Sequence, residues 1–171
     1  LDVKSLNTEE DDRYCAIWCQ ELSLDSDGMV LQASMEPDGA LGSYTADSLA
    51  SYDRIVAAEA DVIINGIGML GGDYLVNGAN ATTDAQPESG GYAYYEDGVL
   101  TLNNFEVVSQ REIMRTKVDV QIVLIGSNRL AGSDGGYDYG IVAGGDLTIR
   151  EEGNGSLEID SGKTSILGPY V

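Results

Sequence analysis

The feature that most restricts what this chain can fold into is a short pattern that recurs along it. "LDVKS" (1–5), "LSLDS" (22–26), "LTLNN" (100–104), "LTIRE" (147–151) and "LEIDS" (157–161) share the form Leu-x-apolar-x-polar. Alternation of that kind marks a half-buried strand whose first and third side chains face inward, closed by turn chemistry. Two of these units carry a similar lead-in: "AIWCQELSL" and "GIVAGGDLTI" each place an apolar pair, a bend and an acidic residue (Glu21, Asp146) before the strand. Short strands separated by small or polar corners, recurring after about twenty residues, predict a solenoid of β-coils.

The two glycines of "YDYGIVAGGDLTI" (137–149) raise the alternative of a phosphate-cradling loop. Such a loop needs a helix N-terminus and a Lys-Ser/Thr ending, whereas Leu147-Thr148-Ile149 continues as a strand. Gly144 and Gly145 therefore read as a coil corner, where a residue with positive φ or no side chain is needed. Ile141, Leu147, Ile149, Leu157 and Ile159 are expected to stack inward as aliphatic rows. Helical patterning is weak. The segment 46–60, "ADSLASYDRIVAAEA", reads as one short helix after a cap at Asp47, or equally as a linker. The expected organisation is thus residues 1–50 as the last rungs of one module, 51–60 as linker or short helix, and 61–171 as the start and first rungs of a second. The ends, Leu1 in strand alternation and "LGPYV", read as those of an excised or processed piece, with neither a leader nor a membrane-spanning run.

Composition excludes several function classes. The 171 residues include 29 Asp and Glu against 9 Lys and Arg, a formal charge of −20. Non-specific nucleic-acid binding and binding to anionic membranes both need a basic face, so neither partner is expected. Histidine is absent, which removes Ser/His and Cys/His triads and His-ligated zinc or haem. Cys15 and Cys19, if on one strand, lie about 13 Å apart on the same face. They are too far apart to bond and read as small buried hydrophobes.

"GGDYLVNG" (71–78), "GGYAYYEDGVLTLNNFEV" (90–107), "GIVAGGDLTI" (140–149) and "GSLEIDSG" (155–162) resemble the repeated domains of large surface proteins of Gram-positive, mostly gut-dwelling bacteria. In those domains a leader of the type "DGxLTLNN" precedes rungs of the type "GIxxxGDLTI" and "GSLTV". The stretch 109–118, "SQREIMRTKV", departs from the rung pattern. Such domains are similar to right-handed parallel β-helices and carry a carbohydrate-binding label. The resemblance therefore implies an all-β, right-handed parallel β-helix outside the cell or on its surface, next to further repeats of a larger chain, with glycan as partner.

Candidate site residues follow from chemistry. Tyr92, Tyr94, Tyr95, Tyr137 and Tyr139, with Trp18, supply flat faces of the kind that stack on sugar rings, while Asp97, Asp134 and Asp138 lie close in sequence to hydrogen-bond hydroxyls. Alternation puts Tyr92 and Tyr94 on one face and Tyr95 on the other, so at least one of these rings belongs to packing. Calcium, which takes roughly six to eight oxygens from flexible loops, is the candidate ion at Asp25 and Asp27 in "DSDG" and at Asp134 and Asp138 in "SDGGYD". No other cofactor is expected. Parallel β-helices also host polysaccharide lyases and hydrolases, whose paired carboxyls sit about 5 to 9.5 Å apart. Glu151 with Glu152, or Asp119 beside Arg115 and Lys117, are the pairs on offer, and nothing in their spacing selects them. The expectation is a non-catalytic module for carbohydrate recognition or adhesion, with a purely structural spacer and a carboxylate-dependent polysaccharide-degrading enzyme as alternatives.

Overall fold

The structure, a computed structural model, describes residues 2–4, 29–36, 39, 41–43, 54–110, 112–133 and 139–168. The chain is all-β and divides into two compact units, Leu1–Glu59 and Ala60–Val171.

In the first unit, β1 (Asp2–Lys4), β2 (Met29–Ser34), β3 (Gly42–Ser43) and β4 (Arg54–Glu59) form one sheet in the order β1-β4-β2-β3. Every ladder in it is antiparallel. Rungs of a preceding coil, the expectation for residues 1–50, would have paired parallel. The helix or linker expected over 46–60 is corrected for residues 54–59, because Arg54–Glu59 is a central strand paired along its whole length with β2. The physical reason lies in "IVAA": four small or apolar residues satisfy either period, and the register with β2 buries the alternate Ile55 and Ala57. Residues 46–53 lie outside the described residues.

The second unit opens with two β-hairpin segments. β5 (Val62–Ile64) and β6 (Ile67–Met69) are joined by Asn65-Gly66, with φ of 52° and 79°. β8 (Tyr92–Glu96) and β9 (Val99–Asn103) are joined by Asp97-Gly98, with φ of 46° and 77°. Two residues at positive φ twist a tight turn in the sense that flanking strands require, which is why Asn-Gly and Asp-Gly occur there. "VIINGIGML" and "YAYYEDGVLTL" thus each fold back on themselves. β7 (Tyr74–Val76) pairs antiparallel with β8.

The strands from β9 onward pair with one another in parallel. β9 and β10 (Glu106–Ser109) lie in tandem along β12 (Val120–Gly132), and β12 in turn pairs with β14 (Leu147–Asp160). In a second sheet, β11 (Met114–Thr116) pairs with β13 (Tyr139–Ala143), which pairs with β15 (Thr164–Leu167). β5 covers the other edge of β11, so this sheet has the order β15-β13-β11-β5-β6. The stretch 109–118, which lacked the repeat pattern, thus supplies β11. "LTIRE" and "LEIDS" prove to be the two halves of the single strand β14. They are separated by a bulge in which Gly153, Asn154 and Gly155 stand against Gly126 alone.

Register places equivalent side chains in files across the strands. Leu100, Ile122 and Ile149 form one file, and Leu102, Leu124 and Glu151 the next. Met114, Ile141 and Ile166 form a file in the second sheet. The core between the sheets contains Val62, Ile64, Met69, Leu75, Tyr95, Leu100, Leu102, Phe105, Ile122 and Ile141, each fully or almost fully buried. Burial of each large aliphatic side chain contributes about 1.5–3 kcal/mol. Leu147, Leu157 and Ile159 pack partly against this core, whereas Ile149 remains 38% exposed.

Corners between strands are held by side-chain amides and by glycine. Asn128, 2% exposed, accepts from the Phe105 N–H at 2.8 Å and donates to the carbonyls of Ile125, Gly126 and Ser156 at 3.0–3.3 Å. Asn77 accepts from the Glu106 N–H at 3.0 Å and donates to the Asn104 carbonyl at 3.2 Å. At the corner before β14, the Asp119 carboxylate accepts from the Asp146 N–H at 2.7 Å. Neither Gly144 nor Gly145 there has a positive φ. Their requirement is space, since a Cβ on Gly145 would lie 2.6 Å from the Asp119 nitrogen.

Candidate functional site: a tyrosine face

The β7-β8-β9 meander places its alternate residues on opposite sides. Tyr95 pairs with Leu100 and turns into the core, 3% exposed, where its hydroxyl donates to the Asp61 carboxylate at 3.0 Å. Burial first, and then this carboxylate, pushes the Tyr95 hydroxyl pKa up to about 12. Tyr92 and Tyr94 turn the other way and are half-buried. Register sets Tyr74 directly opposite Tyr94, so the outer face carries three rings. Tyr74 and Tyr94 stack with centroids 4.3 Å apart and planes at 28°, and Tyr74 meets Tyr92 edge-on at 5.5 Å and 67°. Offset stacking and edge contacts of this kind add roughly 0.5–1.5 kcal/mol per pair beyond area burial.

Polar groups border the rings. The Tyr94 hydroxyl donates to Glu96 at 3.0 Å, and that hydrogen bond is the main reason its pKa is raised. Asn103, across the ladder from Tyr92, donates its amide to the Tyr92 hydroxyl at 3.2 Å. Thr101 stands opposite Tyr94. The arrangement offers aromatic surface for stacking on an apolar ring face, with a carboxylate, an amide and hydroxyls in reach of hydroxyl groups.

Of the residues singled out from sequence, Tyr92 and Tyr94 come together here. Asp97 occupies the first positive-φ position of the β8-β9 turn and is exposed, so its place is set by backbone conformation, and Glu96 is the carboxylate that meets Tyr94. Trp18, Asp25, Asp27, Asp134, Tyr137 and Asp138 lie outside the described residues, and with them the calcium loops. Among the described residues, no three His, Cys, Asp or Glu side chains converge as a metal site. Tyr74 was missed. Its signal was the alternation in "DYLVNG", but only register shows which ring it joins.

The carboxylate pairs considered for catalysis are not assembled as such. Glu151 and Glu152 are successive residues of one strand, both exposed, and point to opposite faces of it. Asp119 is engaged with a backbone N–H, and Arg115 pairs with Glu112 at 2.7 Å.

A cavity of about 530 Å³ lies beside β10. Ile67, Leu75, Phe105 and Val107 give it an apolar lining, and Asn77 and Glu106 border it. Both polar groups are occupied, Asn77 with the backbone and Glu106 with Arg129 at 3.4 Å. No family model, curated protein or solved structure matches the chain.

Proposed function

We propose that this chain is a non-catalytic extracellular module that recognises carbohydrate, with the Tyr74-Tyr92-Tyr94 face as its contact surface. The observation that carries this reading is the cluster of three rings on one sheet face, with hydroxyls hydrogen-bonded to Glu96 and Asn103. Aromatic rings with a polar border suit a ligand that is apolar on its ring faces and polar around its edge. The parallel files support a coil reading of the scaffold, in which β9 to β11, β12 with β13, and β14 with β15 are three successive rungs of a short β-helix. That scaffold also favours a second reading, a spacer whose task is rigid length.

The test is a glycan array, with plant and mucin polysaccharides as further ligands, probed with the wild type and with Tyr92→Leu and Tyr94→Leu. Leucine keeps an apolar side chain and removes both the flat face and the hydroxyl. Recognition predicts saturable binding that falls about tenfold or more in the variants while the fold is retained. Absence of binding by a folded wild type would leave the spacer, and release of reducing ends or unsaturated products would replace both readings with an enzyme.

A further inference from the structure

The stretch of chain that builds the tyrosine face carries charge of one sign. Between Arg54 and Arg111 the sequence has no lysine or arginine, while Asp84 and Glu88 precede β8, Glu96 closes it and Asp97 opens the turn after it. One cation shares the sheet face. Register runs Tyr94, Thr101, Val123, Arg150 across four strands, so Arg150 stands three strand spacings from Tyr94, roughly 14 Å. That exceeds the screening length of about 8 Å at physiological salt. Arg150 is also engaged where it stands, donating to Gln121 at 2.9 Å and lying 4.0 Å from Glu152.

Within the face, the Glu96 carboxylate is set beside the rings. It accepts from the Tyr94 hydroxyl at 3.0 Å, and its two oxygens lie 3.7 Å from the points where Cβ atoms on Gly71 and Gly72 would stand. A carboxylate has about four lone-pair sites, so one hydroxyl leaves most of its accepting capacity unspent. The Tyr92 hydroxyl accepts from the Asn103 amide, a bond that does not use its own proton. Tyrosine faces attract cations through the ring quadrupole. A neutral sugar gains an ordinary hydrogen bond from Glu96, whereas an ammonium gains a charge-assisted one and the attraction of the rings besides. A uronate would bring a second carboxylate against Glu96, and that repulsion discriminates against it.

We propose that the tyrosine face selects sugars that carry a free amine, with the ammonium held by Glu96 against the Tyr74-Tyr94 pair and the Tyr92 hydroxyl donating to a sugar hydroxyl. The inference rests on the carbohydrate reading of this face and adds the charge class of its ligand. Glu96 supplies the preference for the amine, and the three rings supply the stacking surface that any hexose would use.

The experiment titrates the 171-residue chain calorimetrically with oligomers of glucosamine, of N-acetylglucosamine and of galacturonate, matched in length, and with a lysine oligomer of equal charge to the first. Wild type is expected to bind the glucosamine oligomer about tenfold or more tightly than the N-acetylated one, one tenfold step corresponding to about 1.4 kcal/mol, and the galacturonate oligomer most weakly. Glu96→Gln keeps the size and an acceptor for the Tyr94 hydroxyl. It is expected to bring the first two affinities within about twofold of each other by weakening only the glucosamine oligomer. The comparison of ligands on the wild type holds should the variant fail to fold. Equal binding of the two hexosamine oligomers, lost in Tyr92→Leu and Tyr94→Leu, would overturn the amine preference and leave the carbohydrate reading standing. Binding of no oligosaccharide would overturn both. Tighter binding of galacturonate, a glucosamine affinity unchanged in Glu96→Gln, or a lysine oligomer bound as tightly as glucosamine would also overturn the proposal, the last by showing that net charge alone selects the ligand.

Discussion

The Asn128 side-chain carbonyl accepts a hydrogen bond from the Phe105 backbone N–H at 2.8 Å, across 23 positions of sequence. The same side chain donates to three carbonyls, one of them Ser156 on the next strand, so one buried amide ties β12 to the chain on either side of it. Asn128→Ala is expected to cost about 2–4 kcal/mol, because it orphans a buried N–H and several carbonyls. Asn128→Asp should be worse at neutral pH, since a carboxylate would face those carbonyls with a charge and no donor. Urea denaturation of both variants checks the order.

Gly145 and Gly153 are both glycines for different reasons, and alanine should separate them. A Cβ at Gly145 would overlap the Asp119 and Val118 backbone, with the Asp119 nitrogen at 2.6 Å. At Gly153 nothing among the described residues lies within 4 Å of an added Cβ, but φ is +70°. Gly145→Ala is expected to cost about 2–3 kcal/mol through displacement of the corner. Gly153→Ala should cost about 1 kcal/mol through left-handed strain alone. Restoration by Gly153→Asn, a residue that tolerates that conformation, with no comparable rescue at Gly145, would be the signature.

Thr116 is 1% exposed, and its hydroxyl has no hydrogen-bond partner among the described residues. Thr116→Val keeps the shape and removes the unsatisfied group. The expected result is unchanged stability or a gain of up to about 1 kcal/mol, read as a higher midpoint at the same denaturant dependence. A clear loss would mean that the hydroxyl is bonded in solution.

Tyr95 sets a pH dependence. Its folded pKa of about 12 lies above the roughly 10 of an unfolded tyrosine. Between those values the unfolded chain releases this proton first, so the stabilisation present below pH 10 is lost progressively as pH rises toward 12. Tyr95→Phe should cost about 1 kcal/mol at neutral pH through loss of the bond to Asp61. Its stability should then fall less steeply than wild type in that alkaline window. Melting curves of the two proteins, with absorbance titration of the phenolates, provide the comparison.

The sequence by itself determined that the chain is built of strands. Leu-x-apolar-x-polar alternation has only one regular conformation in which its apolar residues share a face, and the opposite parity of Tyr95 to Tyr92 and Tyr94 followed from the same period. The glycine pair at 144–145 was legible as a corner because the next residues resume alternation without a helix. Tertiary structure decided the rest, because it depends on which strands meet. "RIVAAE" suits helix and strand alike until β2 pairs with it. Tyr74 and Tyr94, twenty positions apart, become a stacked pair only through the β7-β8 register. Asn128 looks like any polar turn residue until the fold surrounds it with one N–H and three carbonyls. Periodicity is a property of neighbouring residues and is written locally. Register is a property of distant ones, fixed by the joint burial of many side chains at once.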